Sequence, residues 1–124
     1  MSGSRFLLDT NIVLRVLNGN EGLNNLLDDQ DLYLAQISQL ELLSYPKITE
    51  TETLSIQRFI AQMPIVEINA TIMQETIRLR KTYNIGLPDA IIAASALFLD
   101  IPLITTDKGF KRVEKEIELY LYTL

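Results

Sequence analysis

Four carboxylates stand where a carboxylate is awkward. Asp9 ends the unbroken apolar run Phe6-Leu7-Leu8, and Glu41 lies between Leu40 and Leu42. Asp89 opens a stretch that is apolar almost all round, Ala90 to Leu99, and Asp107 follows Ile104-Thr105-Thr106. Each has an ordinary explanation when taken alone. Asp9 and Asp107 are fit to cap the helices after them, and the helix dipole favours Asp89 in a first turn. A Glu at the edge of an amphipathic face is equally ordinary, although a carboxylate among leucines needs a partner. Taken together they pose a different problem. Carboxylates that converge without a counter-ion repel and raise one another's pKa. A divalent cation removes that penalty and makes a nucleophile of coordinated water. The chain has no His and no Cys, so the commonest general base, the thiolate nucleophile and the usual zinc ligands are excluded. Any metal must be held by oxygen, which favours Mg²⁺ or Mn²⁺. Metal-activated water is the most natural hydrolytic chemistry left.

The elements that must position these acids follow from apolar patterning. An unbroken apolar run reads as a strand buried on both faces, as in parallel sheets. Strands are expected at Phe6 to Leu8, Leu32 to Ala35, Ile65 to Ile68, Pro102 to Thr106 and Glu118 to Tyr122. Helices are expected at about 10–17, 21–27, 37–44, 51–63 and 70–83, with Asn69 capping the last and Ile72, Ile77 and Leu79 facing inward. Asn18-Gly19-Asn20 stops the first of these. Pro88 suits the first position of a further helix that belongs inside the protein, and a short helical turn is expected over Gly109 to Val113. Strands alternate with helices, and each connection is long enough for a crossover. The expected fold is α/β around a mainly parallel sheet of about five strands. In such a sheet, strand ends and helix starts share one edge, where ligands bind. Asp9 and Asp107 come to that edge from strand ends and Asp89 from a helix start. Glu41, on a helical face with Ile37, Leu40 and Ser44 near the start of its helix, can join them.

At 124 residues, 48% hydrophobic and 22% charged, the chain is expected to be a single globular domain over 1–124. No apolar run approaches the roughly 18 residues of a membrane span, and Asp9 and Arg5 interrupt the N-terminal apolar stretch, so a cytoplasmic protein without a signal peptide is the expectation. Met1-Ser2-Gly3-Ser4 carries no weight in this reading. The net charge is −5 and the pI near 4.6. Charge alone argues against nucleic-acid binding, which draws on clustered Lys and Arg. It fits a basic partner, or carboxylates masked by metal. The basic residues cluster modestly, at Arg78-Arg80-Lys81 and at Lys108-Lys111-Arg112. The first group reads as a solvated helix face, whereas the second lies beside Asp107 within reach of a phosphate.

Neutral polar residues flank the acids: Thr10 and Asn11 after Asp9, Ser38 before Glu41, Thr105 and Thr106 before Asp107. Such groups can orient carboxylate oxygens. The ordered set Leu8-Asp9-Thr10-Asn11, Ser38 through Glu41-Leu42, Leu87-Pro88-Asp89-Ala90-Ile91-Ile92-Ala93-Ala94 and Ile104-Thr105-Thr106-Asp107-Lys108-Gly109-Phe110 resembles the PIN-domain ribonucleases from end to end. The small size and the Asp-Thr-Asn opening look most like the toxin subunit of VapBC-type toxin–antitoxin pairs. The resemblance implies a PIN-like three-layer α/β/α sandwich and an endoribonuclease using Mg²⁺ or Mn²⁺ on single-stranded or structured RNA. Carried over residue by residue, Asp9, Glu41, Asp89 and Asp107 match the acidic metal site. Thr105 matches the hydroxyl residue before the last acid, and Asn11 the amide after the first. A homodimer, and a cognate antitoxin whose tail reaches the active site, are implied as well.

Two other readings compete. An aspartate-nucleophile phosphatase would use Asp9 itself, but those enzymes usually carry an acid or Thr two residues on, where Asn11 stands. A non-enzymatic module whose acidic groove receives a basic peptide is supported by the negative charge.

Overall fold

The structure, a computed structural model, describes residues 3–123; Met1, Ser2 and Leu124 lie outside the described residues. Five strands form one sheet: β1 (Arg5–Leu8), β2 (Asp31–Ala35), β3 (Ile65–Val66), β4 (Leu103–Thr105) and β5 (Leu119–Leu121). Between them run α1 (Thr10–Leu17), α2 (Glu21–Leu27), α3 (Gln36–Leu43), α4 (Glu50–Ile60), α5 (Ala70–Thr82) and α6 (Leu87–Leu99). A 3₁₀ helix, Lys108–Val113, links β4 to β5. The strand order is β3-β2-β1-β4-β5, and every pairing is parallel. The order reverses beside β1, so the topological switch point of this sheet lies between β1 and β4.

Side-chain alternation along the strands builds two cores. Phe6 and Leu8 of β1, Leu34 of β2 and Ile104 of β4 point to one face, where Ile12, Leu23, Leu42 and Ile56 from α1 to α4 cover them. Leu7, Ala35 and Leu103 point to the other, under Ile72, Leu79, Ile92 and Ala93 of α5 and α6. This period of two, satisfied on both faces, is why the strands read as continuous apolar runs. Helix α6 is buried from Ala90 to Ala96. Its one hydroxyl there, Ser95, is satisfied by donating to the Ile91 carbonyl at 2.8 Å.

Local signals set most boundaries. Asn69 Oδ1 accepts the Ile72 N–H at 2.8 Å and starts α5. Thr49 and Glu52 form a reciprocal capping box that starts α4 at Glu50. That helix ends at Ile60, short of the expected run to Met63. Gly19, with φ +84°, supplies the left-handed residue that closes α1. Pro88 sits second in α6, after Leu87. The third strand holds only Ile65 and Val66, so Glu67 and Ile68 leave the sheet.

One facing assignment and one position along a helix are corrected. Ile77 is 50% exposed; the buried stripe of α5 is Ile72, Thr76 and Leu79. Five residues beyond Ile72, at 3.6 residues per turn, Ile77 falls well off the inward line. In α3 the buried residues are Ser38 and Leu42, whereas Leu40 is 62% exposed. Glu41 is the sixth residue of that helix, not near its start.

Candidate active site

The switch point is closed by one threonine. Thr105, last residue of β4 and fully buried, donates its hydroxyl to Asp9 Oδ2 at 2.6 Å. The threonine oxygen in turn accepts the Asp107 backbone N–H at 3.0 Å. Asp9 follows β1, and its N–H extends the ladder by donating to the Ile104 carbonyl at 3.0 Å. Its Oδ1 accepts the Thr10 N–H at 2.8 Å, capping α1. Both carboxylate oxygens are therefore held, one by the end of β4 and one by the start of α1. Asp107 is braced in turn: Oδ1 accepts the Gly109 N–H at 2.8 Å and caps the 3₁₀ helix. A Cβ on Gly109 would lie 3.0 Å from that oxygen, so the glycine leaves the carboxylate its place.

A second hydroxyl network orients Glu41. The Thr10 hydroxyl lies 2.8 Å from Glu41 Oε1 and 2.9 Å from Ser38 Oγ. With one proton to give, Thr10 donates to the carboxylate and takes the Ser38 proton. Thr10 and Ser38 are both buried. Sequence spacing gives these two no preference over turn residues, because the link joins segments 28 and 31 residues apart. A polar residue facing a core from an apolar helix, as Ser38 does, is the signal that points to it.

Asp89 enters from the third position of α6. It lines one open cleft of about 310 Å³ with Asp9, Glu41 and Asp107. The four acids expected from sequence thus share a cleft, delivered by β1, α3, α6 and the end of β4. Asn11 lines the cleft as well, exposed, and its amide bonds none of the acids among the described residues; Thr10, one position earlier, does that instead. Ser44, Tyr45 and Pro46, just past α3, complete the rim, and no motif in the sequence points to them.

The electrostatics are one-sided. Burial, offset by the bonds from Thr105 and Thr10 and reinforced by Asp107 and Glu41, pushes the Asp9 carboxyl above the usual range. Asp89 is pushed up to about 6, by burial first and then by the charges of Asp9, Asp107 and Glu41. No Lys or Arg pairs with these acids among the described residues; both ion pairs there belong to Arg78, with Glu75 and Glu116. Arg78 thus braces α5 against the segment after the 3₁₀ helix.

Donor chemistry suits a hard divalent cation: several carboxylate oxygens, hydroxyls behind them, no nitrogen or sulfur. The side chains do not form a finished cage. Among the described residues no three of them converge as ligands of one ion. Four like charges hold one another apart, and Asp9 and Glu41 are already turned toward their hydroxyl donors. An ion here would be held by Asp9, Glu41, Asp89 and Asp107, with Asp9 steadied by Thr105 and Glu41 by Thr10.

An acidic cleft at the switch point of a five-stranded parallel sheet defines an α/β protein with a carboxylate site. The family model for the PIN domain matches residues 6–116, and the chain belongs to that family. Solved structures with the same fold include VapBC2 from Rickettsia felis bound to a DNA fragment from its promoter. That match has 24% identity and a TM-score of 0.83, and covers 96% of this chain and 99% of that one. A toxin–antitoxin complex from Klebsiella pneumoniae matches with 24% identity and a TM-score of 0.81, over 95% and 98% of the two chains. The DNA-bound VapBC from Salmonella typhimurium matches with 19% identity and a TM-score of 0.82, over 98% and 100%. No curated protein matches the sequence significantly. No helix among the described residues is long and apolar enough to cross a membrane.

Proposed function

We propose that the protein is a metal-dependent endoribonuclease, the toxin of a toxin–antitoxin pair, acting through Asp9, Glu41, Asp89 and Asp107 with Mg²⁺ or Mn²⁺. One observation carries this reading: four acids from four separate elements line one cleft with no cationic side chain among them. In the proposed assignment Asp9 and Asp89 hold the main ion, and Asp107 and Glu41 complete or orient its surroundings. When bound, the divalent cation lowers the pKa of water and neutralises charge on the phosphoryl oxygens. The chain's own residues supply the rest. Thr105 fixes Asp9 and the Asp107 backbone in one geometry, Thr10 and Ser38 aim Glu41, and Asp89, above its usual pKa, is the acid that gains most from a cation. The phosphatase alternative has less in its favour, because Asn11 stands where those enzymes usually carry an acid or Thr.

The antitoxin partner is supported by the similar structures, which are of VapBC and toxin–antitoxin complexes. An apolar trough between α1 and α4, lined by Leu17, Leu54 and Phe59, offers such a partner an area outside the acidic cleft. The net charge of −5 favours a basic tail on it. A second apolar trough, with Ile37, Leu40, Leu43 and Ile68, is available to a homodimer.

The test is direct. RNA is expected to be cut with Mg²⁺ or Mn²⁺, to survive with chelator, and to survive Asp9→Asn. Undiminished cutting by that variant overturns the mechanism. Tight binding of a basic partner, with no divalent-cation binding by calorimetry, would select the non-enzymatic reading instead.

A further inference from the structure

We propose that Tyr45 is a nucleobase-stacking platform, holding the base beside the phosphate that enters the acidic cleft; this rests on the ribonuclease reading above. Three aromatic side chains are strongly exposed among the described residues: Tyr45, Phe98 and Tyr120. Tyr120 is engaged edge-to-face with Phe6, ring centroids 5.2 Å apart. Phe98 lies in the last turn of α6, and the nine residues from Asp89 put it about 14 Å down that helix from the cleft. Tyr45, 44% exposed, lines the cleft itself beside Glu41 and Pro46.

Tyr45 opens a tight turn. Its carbonyl accepts the Ile48 N–H at 3.2 Å, closing a turn with Pro46 and Lys47 at the centre. Lys47 has φ +64°, in the left-handed region where such turns ordinarily carry Gly or Asn. Pro46, with its fixed φ, and Lys47, held in the left-handed region, limit the freedom of the chain just after the ring.

The chemistry explains why an aromatic is needed here. The protein carries a net charge of −5, and no cation joins the cleft lining, so phosphate attraction by side chains is scarce. Stacking on a base is uncharged, tolerates any sequence and is unaffected by neighbouring carboxylates. It also selects unpaired RNA, whose bases are free to lie flat on a ring.

The chain has no Trp, so Tyr45→Trp creates a protein with a single indole reporter at the platform. Binding is read in Mg²⁺ with a short, fluorescein-labelled single-stranded RNA of mixed sequence, in an Asp89→Asn background that blocks cutting. Tyr45→Ala is expected to bind about tenfold more weakly, within the range for one lost stack, while Tyr45→Phe and Tyr45→Trp keep affinity. Emission of the introduced indole is expected to be quenched by the unlabelled single strand and not by a duplex of the same sequence. Unchanged affinity in Tyr45→Ala, or emission indifferent to the single strand, overturns the platform. If the unsubstituted protein still cuts RNA in that case, the nuclease reading survives alone. If the background variant binds no RNA and the unsubstituted protein cuts none, both fall together.

Discussion

Asp9 and Asp89 line the same cleft, yet the molecule treats them differently. Asp9 stands in the strand-end half of the site, where Thr105 and the Thr10 backbone each give one of its oxygens a proton to share. Those bonds favour its anion and partly offset burial. Asp89 stands in the helix-start half, with no side-chain donor among the described residues and only the positive end of α6 in its favour. Burial and three like charges act on it nearly uncompensated, and its carboxyl rises to about 6. One half of the cleft is a fixed frame; the other is an acid left under electrostatic stress. The stress is relieved by a proton or by a cation, which makes Asp89 the residue whose state should report whether an ion is bound.

The sharpest way to break the comparison is to remove an acid from the frame. Asp9→Asn is expected to lower RNA cleavage by more than the about 10- to 100-fold that losing an outer hydrogen-bond partner costs, measured as kcat/KM in Mg²⁺. Thr105→Val is expected to fall in that range of about 10- to 100-fold. It also leaves Asp9 Oδ2 and the Asp107 N–H unpaired beside a buried apolar group, a loss of about 1–3 kcal/mol of stability for each buried polar group stranded. Thr105→Ser should restore both. If Thr105→Val cleaves normally, the strand-end frame is not what holds the site.

The stressed half makes a prediction of the opposite sign. The folded Asp89 carboxyl titrates at about 6 against an ordinary 3.8, so between those values the folded state holds a proton that the unfolded state has released. Its contribution to stability therefore falls as pH rises through about 6. In chelator the melting temperature is expected to increase from about pH 7 to about pH 5, across that titration. Glu52 and Glu116, held below the usual range by hydrogen bonds from Thr49 and Arg78, reverse that gain in stronger acid. Asp89→Asn should raise the melting temperature near neutral pH and flatten the slope, and Mg²⁺ or Mn²⁺ should do the same to the unsubstituted chain. A melting temperature that rises over the same span toward neutral pH in chelator contradicts the assigned repulsion.

The two halves are also unequally legible in the sequence. Asp9 and Asp107 ending apolar runs, and Asp89 heading a buried helix, are visible because strand and helix signals are local and a parallel sheet sends all such termini to one edge. The α/β fold with its parallel sheet follows from the same alternation, whereas the PIN family rests on resemblance across the four motifs. What joins the acids is not visible. Thr105 reaching Asp9 depends on β4 lying beside β1 in register, with Leu8 opposite Ile104; no period within either segment states that. Thr10 reaching Glu41 and Ser38 depends on how α3 crosses the edge. Ile77 is misplaced by pattern alone because an apolar residue on a helix does not by itself declare its face; counting from Ile72 and Leu79 does.

The smallest effect is expected at Gly109, and it tests how exacting the frame is. Its backbone has no left-handed φ to protect, since Gly19 is the one glycine among the described residues with a positive φ. Gly109→Ala is therefore cheap for the backbone and acts only through space. The added methyl would stand 3.0 Å from Asp107 Oδ1, so the carboxylate must yield by a few tenths of an ångström or lose its 2.8 Å bond to the Gly109 N–H. Asp107 is partly exposed and can swing, which keeps the cost in stability within about 0.5 kcal/mol, as for surface changes in general. The expected signature is a weakened affinity for Mn²⁺ by calorimetry with an almost unchanged melting temperature. A variant that binds Mn²⁺ as the unsubstituted chain does would assign Asp107 to capping the 3₁₀ helix and leave the ion to Asp9, Asp89 and Glu41.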